Sequence, residues 1–449
     1  MRTKEDSLHP KYKYLSSIYL IHDANGILDN YVREANNLYN IGMYLMRQSF
    51  IKHSKLLSYP ELYRKIKRKV DYRENLVYRK LPYAQSSQQT LKEVQGTFDL
   101  WIKALKAYRA NPSKFTGRPG MPKYLPKGKR HGFWITGQNA VIKQGYLHIP
   151  KLKQFEIKLN PNADITKIKR VLFKPMSKGY FKVIVQYQLD KNVKYLPDNS
   201  KYVGIDPGLD NAFTVVDSTG SHRPLIINGK PVKSMNQYYN KNRAKSYSLL
   251  AKYHQNETII QTKQGPKSIY SESNHLIKLT LKRNQKLFDF IHKATKSIID
   301  YTLNCGANTI VIGKNKNWKR SIHLGKRINQ NFIGIPHNRM IEILKYKANL
   351  KGITVITTNE SYTSQTSFLD GEKPCRENGN YHRKLKRLSP SNRRIHRGLF
   401  RSNDGVLINA DVNGAYQLIR KVFSDVKFSK FNQEIRGLVL SPSKLTINV

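Results

Sequence analysis

Three carboxylates, far apart in the chain, occupy positions from which they could act together on a phosphodiester. Asp206 closes the apolar run Tyr202-Val203-Gly204-Ile205-Asp206-Pro207-Gly208, where Pro207 and Gly208 turn the backbone and leave the acid facing outward. Asp411 lies in Ile408-Asn409-Ala410-Asp411-Val412-Asn413-Gly414-Ala415-Tyr416, at the start of an expected helix. Glu360 follows a short apolar strand in Thr357-Thr358-Asn359-Glu360-Ser361-Tyr362-Thr363-Ser364. Hydrolysis assisted by two divalent ions needs several carboxylates around a space in which the metals sit about 4 Å apart. Each acid also has an ordinary explanation: a turn residue, a partner for a helix dipole, a surface group. The combination favours chemistry.

The natural place for a third acid is the end of Thr309-Ile310-Val311-Ile312, yet that run continues into Gly313-Lys314-Asn315. A parallel strand beside it ends about 5 Å to one side, which a Glu side chain can span. Glu360 is therefore the candidate. Glu342 comes second, because its helical phase sets it among solvent-facing positions.

The elements that must position these acids follow from periodicity. Strands are expected at 202–206, 212–217 and 223–227, then a long helix with Leu287, Ile291, Ala294, Ile298 and Tyr301 on one face. A buried strand at 309–312 comes next. A helix starting near Pro336 carries Met340, Ile341, Leu344 and Ala348 inward and stops at Gly352. A strand at 353–357 and a helix at 410–422 complete a β-β-β-α-β-α-β-α succession, which an RNase H-like α/β fold requires, although periodicity alone also allows another α/β sheet. Upstream, residues 13–22 read as a strand. Two helical stripes follow, Tyr31, Ala35, Leu38, Leu45 and Met46, then Leu91, Val94, Phe98, Trp101, Leu105 and Tyr108. Ser113 to Arg130 is a basic Gly- and Pro-rich connector. The segments 131–136, 140–149, 154–159, 169–175 and 180–188 alternate like strands, and with 13–22 they predict a small β-barrel-like domain. Asp190 to Ser200 reads as a linker.

Charge narrows the partner. Against 80 Lys and Arg stand 30 Asp and Glu, a formal net charge of +50. Such a surface seeks a polyanion. No apolar run nears the roughly 18 residues of a membrane span, and the first residues lack the apolar centre of a secretory signal, so no membrane is expected and nucleic acid remains. The 28 Tyr and 16 Phe offer faces on which unpaired bases can stack. With only Cys305 and Cys375, neither a disulfide framework nor a four-thiolate zinc site can form. A cytoplasmic, nucleoid-associated location is expected.

These motifs resemble the TnpB family, relatives of the type V CRISPR effector nucleases. The resemblance rests on Gly204-Ile205-Asp206-Pro207-Gly208, Ile335-Pro336-His337 to Tyr346-Lys347-Ala348, Glu360-Ser361-Tyr362-Thr363-Ser364-Gln365, and Asn409 to Tyr416. It extends upstream through Gly132-Phe133-Trp134 and Gly145 to Lys151. It implies a RuvC nuclease domain of RNase H-like fold at 196–360 with its last helix and tail at 409–449. It also implies a wedge domain in two parts, 1–26 and 126–195, and a helical recognition domain at 27–125. The implied partners are target DNA and a guide RNA made from the transposon end. Two magnesium ions would be held by Asp206, Glu360 and Asp411. The implied activity is RNA-guided cleavage of DNA. A nuclease-inactive, guide-directed DNA-binding repressor and a DNA-rejoining transposase are the alternatives.

Two departures from the family pattern stand out. Most members place the middle glutamate where Gly313 stands. A branch with the pattern of Ile312-Gly313-Lys314-Asn315-Lys316-Asn317-Trp318-Lys319 has the acid at the position matching Glu360. The usual zinc-ribbon cysteine pair is replaced by Ser367-Phe368-Leu369-Asp370, and Cys375, His382 and His396 lack standard ligand spacing, so zinc is not expected there. The insert at 361–408, with Arg383, Lys384, Lys386, Arg387, Arg393, Arg394 and Arg397, reads as a metal-free basic flap that contacts nucleic acid near the cut. Gln88 and Gln89, opening a helix at 88–108, could read base edges, or could be plain helix surface.

Overall fold

The computed structural model of the chain describes residues 14–71, 74–126, 128–161, 165, 167–177, 179–188, 193–255, 257–262, 265–314, 334–361, 363–372, 393–396, 398–424, 426 and 433–448. Contacts divide the chain into two compact units, one of Tyr12–Lys191 and one containing Asn192–Val449.

In the first unit, β1 (Tyr14–His22) ends in a turn that starts a helix. The buried Asp23 carboxylate accepts the amides of Ile27 and Asp29 at 3.1 and 3.0 Å, and Gly26 takes φ +70°. The helix α1 (Ile27–His53) buries Ala35, Leu38 and Met46 as expected. Tyr31 and Leu45 are only half-buried, and Val32 and Met43 face the core in their place, so the apolar stripe is rotated by about a residue. After α2 (Tyr59–Lys67), α3 (Ala84–Ala110) buries Leu91, Val94, Phe98 and Leu105. The half-buried Trp101 donates its indole N–H to the Pro119 carbonyl, which holds the connector. Asn40 pairs with both backbone groups of Leu125 in the same role.

The strands β2 (Phe133–Thr136), β6 (Ile168–Pro175) and β7 (Tyr180–Gln188) join β1 in an antiparallel sheet ordered β1-β7-β6-β2. The segment expected as one strand at 140–149 is a hairpin, β3 (Val141–Lys143) and β4 (Tyr146–His148), because Gln144 and Gly145 both take positive φ and reverse the chain. It pairs with β5 (Ile157–Lys158). Among the described residues these are two open sheets, in place of the expected barrel-like closure. One apolar cluster runs from Leu28 and Phe98 on the helices to Phe133, Phe173 and Val185 on the strands.

The second unit is built on a six-stranded sheet. Its strands are β8 (Tyr202–Asp206), β9 (Asn211–Asp217), β10 (Leu225–Asn228), β13 (Thr309–Gly313), β14 (Thr354–Thr358) and β18 (Ser443–Leu445), in the order β14-β13-β8-β9-β10-β18. The pairs β8–β9 and β9–β10 are antiparallel, whereas β13 and β14 run parallel to β8, and β18 parallel to β10. Between β10 and β13 lie two elements that periodicity did not show, α4 (Lys230–Lys252) and the hairpin β11 (Glu257–Thr262) with β12 (Gly265–Tyr270). The helix α4 buries only Val232, Asn236 and Leu250, too few to write a stripe into the sequence. The next helix, α5 (Asn274–Asn304), buries Leu287, Ile291, Ala294 and Ile298 as expected, with Tyr301 half-buried. In α6 (His337–Asn349) Met340, Ile341, Leu344 and Ala348 face inward, Pro336 caps the helix from outside, and Gly352 follows with φ +73°. A small sheet, β15 (Arg394–His396), β16 (Leu399–Arg401) and β17 (Leu407–Asn409), leads directly into α7 (Ala410–Val422). After α7 come α8 (Gln433–Leu440) and the edge strand β18, which the sequence reading left as tail.

Helix α7 lies against β8 at backbone distance. A Cβ on Gly204 would fall 2.4 Å from the Ala415 carbonyl oxygen and 2.8 Å from Ile419 Cγ1. That oxygen belongs to helix backbone and cannot swing aside. Gly204→Ala should therefore lower the stability of this unit by about 2 kcal/mol or more, read as an earlier urea midpoint. A midpoint unchanged from wild type contradicts this close seat.

Candidate active site

The ends of β8, β13 and β14 lie on one edge, because the strands run parallel in register, Ile205 beside Ile312 and Gly313 beside Thr358. Asp206 is the last residue of β8. The turn after it is fixed from α6: His337, 1% exposed, donates Nε2–H to the Gly208 carbonyl at 3.0 Å. Gly208 itself has no room for a Cβ, which would fall 2.5 Å from the Asn211 carbonyl oxygen.

Glu360 stands two residues beyond β14, and the backbone on both sides of it is held. Lys421 on α7 donates its ammonium to the carbonyls of Asn359 and Ser361, at 2.9 and 3.1 Å. The Thr363 amide and hydroxyl donate to the Glu360 carbonyl. A Cβ on Gly313 would fall 2.3 Å from Glu360 Cγ and 2.6 Å from Oε1. The glutamate thus fills the volume where a side chain at 313 would stand.

The motif from Asn409 to Tyr416 resolves into separate tasks. Asn409 caps α7, its Oδ1 accepting the amides of Asp411 and Val412. Asp411 is in the first turn, and its Oδ2 accepts Asn211 Nδ2 at 2.7 Å. Asn413, fully buried, accepts the Phe368 amide and donates to the Thr366 carbonyl, tying the insert to the helix. Gly414 leaves space for Asp206, whose Oδ2 would lie 3.0 Å from a Cβ there. Tyr416 stacks on Phe368 with ring centroids 4.1 Å apart.

Electrostatics show that the three acids share one neighbourhood. Burial raises the Asp206 pKa well above the carboxylate range, and the nearby Glu360 and Asp411 charges raise it further, while Arg394 pulls it down. Burial pushes Glu360 from 4.5 to about 8. A half-buried group of oxygen donors that repel one another in this way fits a hard divalent cation, which would relieve the repulsion and hold all three ionised. Asp206, Glu360 and Asp411 are the residues that would hold it. Glu342 is elsewhere, exposed and within 3.9 Å of the Lys314 and Lys345 ammonium groups.

The remaining candidates separate. Arg394, exposed on β15, faces the acids closely enough to act on Asp206. Arg383, Lys386 and Arg397 lie outside the described residues, as do Lys384, Arg387, Cys375 and His382. Arg393 is no part of a basic surface: 9% exposed, it pairs with Glu372 at 2.7 Å and Asp370 at 3.4 Å and reaches Asn403. Gln88 and Gln89 fall in the second turn of α3, since the helix begins at Ala84. Gln88 lies near the Tyr78 phenol, whose hydroxyl donates to the Ala84 carbonyl. Gln89 lines a cleft of about 960 Å³ with Gln138, Gln186, Lys167 and Arg170, whose guanidinium lies 4.1 Å above the Trp134 ring.

Two family models match the chain, mostly within the second unit. One, described as "Probable transposase" (OrfB_IS605), matches residues 183–319, and the Cas12f1-like TNB domain matches 337–418. The chain is thus similar to the first family over residues 183–319 and to the second over 337–418, in line with its resemblance to the TnpB family. A Cas12f1-sgRNA-target DNA complex overlays 90% of this chain on 98% of that one, at 14% identity and a TM-score of 0.34. A CRISPR-Cas12f ternary complex overlays 87% on 80%, at 14% identity and 0.33. No curated protein matches the sequence.

The raised Glu360 sets a pH dependence. In metal-free protein the folded state keeps a proton on Glu360 between pH 4.5 and about 8 that the unfolded chain releases, so this group's contribution to stability is greatest below 4.5 and falls as pH rises through that window. Melting in chelator across pH 5 to 9 should show this decline in wild type and a flatter profile in Glu360→Gln. Parallel profiles would rule out a raised Glu360.

Proposed function

We propose that this protein is a transposon-encoded, RNA-guided DNA endonuclease, hydrolysing target phosphodiester bonds at Asp206, Glu360 and Asp411 with two magnesium ions. The observation that carries the proposal is the lodging of Glu360 over Gly313, beside an Asp206 that also feels Asp411. Magnesium bound there would activate water and stabilise the departing 3′ oxygen. The protein's own residues prepare the place. Asn211 fixes one oxygen of Asp411, His337 stiffens the turn behind Asp206, and Lys421 sets the direction of Glu360. Arg394 is suited to hold a phosphate of the strand being cut.

Base pairing with a guide RNA made from the transposon end would read the target, the protein holding the heteroduplex by shape and charge. The net charge of +50 supports a polyanionic partner. Residues 27–125 would form the recognition domain, with 1–26 and 126–195 as the wedge. The Gln89 cleft would contact bases beside the target. The insert at 361–408 would act as a basic flap. A cytoplasmic, nucleoid-associated location suits such partners.

A magnesium-dependent cleavage assay with the co-purifying RNA tests this reading. Asp206→Ala and Glu360→Ala should each cut at least ~100-fold more slowly, with RNA binding retained. Wild type that binds without cutting is a repressor, and one that joins ends to a 3′ hydroxyl is a transposase.

The lodging of Glu360 makes a sharper prediction. Gly313→Glu alone should be inactive, because its Cβ collides with Glu360. Gly313→Glu combined with Glu360→Gly should recover part of the activity, and recovery no greater than in Glu360→Gly alone contradicts the shared volume.

A further inference from the structure

Strand β9 starts at Asn211, beside Asp411, and ends at Asp217, which pairs in register with Val203 while Asp206 pairs with Thr214. The far end of the strand is thus about 10 Å from the carboxylate edge. Three metal-ligating residues of different chemistry meet there: Asp217, His222 from the turn after β9, and Cys305, which caps α5. Their donor atoms all lie within 4.8 Å of one another. Asp217 is fully buried and Cys305 is 5% exposed, whereas His222 is half-buried.

The spacing suits a tetrahedral ion. His222 Nδ1 is 3.4 Å from Asp217 Oδ2, long for a hydrogen bond. That length is close to the edge of a tetrahedron, roughly 3.3 Å, around zinc with bonds of about 2.0–2.1 Å to nitrogen and oxygen. An outer layer orients the carboxylate: the Thr219 amide donates to Oδ1 at 3.0 Å, and the Thr219 and Ser221 hydroxyls reach Oδ2. The Tyr301 and Tyr416 phenols lie near Asp217 and Cys305.

We propose that Asp217, His222 and Cys305 form a structural site for a borderline-soft divalent ion of the zinc class, tying the β9–β10 turn to the end of α5. A sulfur, nitrogen and oxygen donor set selects such an ion, as the all-oxygen set at Asp206 selects magnesium. The site is distinct from the ribbon insert, where zinc is not expected, and does not depend on the nuclease reading.

Cobalt titration of the full-length, metal-stripped chain in excess magnesium tests the proposal. Wild type should develop a thiolate-to-cobalt charge-transfer band and four-coordinate visible bands at one ion per chain, bleached by one equivalent of zinc. Cys305→Ser should abolish the charge-transfer band, while Cys375→Ser and Asp206→Ala keep it. His222→Ala should weaken cobalt binding at least tenfold with an unchanged far-UV spectrum. Absence of the band in wild type, or its survival in Cys305→Ser, overturns the proposal. Should Cys305→Ser fail to fold, His222→Ala decides, and unaltered affinity in that variant overturns it.

Discussion

Like-charged carboxylates gather in a half-buried place only where packing leaves them no alternative. Here that packing is the seat of α7 on β8. The missing side chain at Gly204 lets the helix backbone approach the strand, and the missing side chain at Gly414 leaves a space that the Asp206 carboxylate enters. Once the helix is seated, Asp411 is carried to the end of β8 by its first turn. Lys421, nearly three turns further on, grips the backbone around Glu360. The repulsion among the acids is then held by the sheet and helix core, in which Val203, Ile205, Ala415 and Ile419 are fully or almost fully buried.

The position of the third acid follows from parallel pairing. Strand β14 lies beside β13 in register, so the chain emerging from β14 passes the end of β13 within side-chain reach. The smallest residue is needed at 313 because a side chain arriving from 360 already occupies the space. Two strands therefore share one functional volume, and neither position can be interpreted alone.

Much of this was legible in the sequence, for a physical reason: buried strands and amphipathic helices must repeat their apolar residues. The runs that became β8, β13, β14, α5, α6 and α7 do so, and their ends fell close to the expected positions. Polar elements carry no such signal. The helix α4, with three buried residues, and the hairpin β11–β12 were invisible for that reason, and β18 is too short to show a period. The stripe of α1 was misjudged by one residue because Tyr31 and Leu45 are apolar enough to suggest a core position yet pack only at its margin. Arg393 looked like one of many surface cations. Its pairing with Asp370 and Glu372 depends on chain brought together from separate segments, and that ion-paired cluster gives the insert an internal anchor. His337, Asn211 and Lys421 were missed as positioning groups because each acts on a backbone carbonyl or side chain distant in sequence.

The central claim is that Asp206, Glu360 and Asp411 address one cation site. A crystal of the protein soaked in manganese, with anomalous difference density, tests this most directly. The account predicts peaks bounded jointly by all three carboxylates. A peak held by Asp206 and Asp411, with the Glu360 side chain turned away and the space above Gly313 empty, would contradict it.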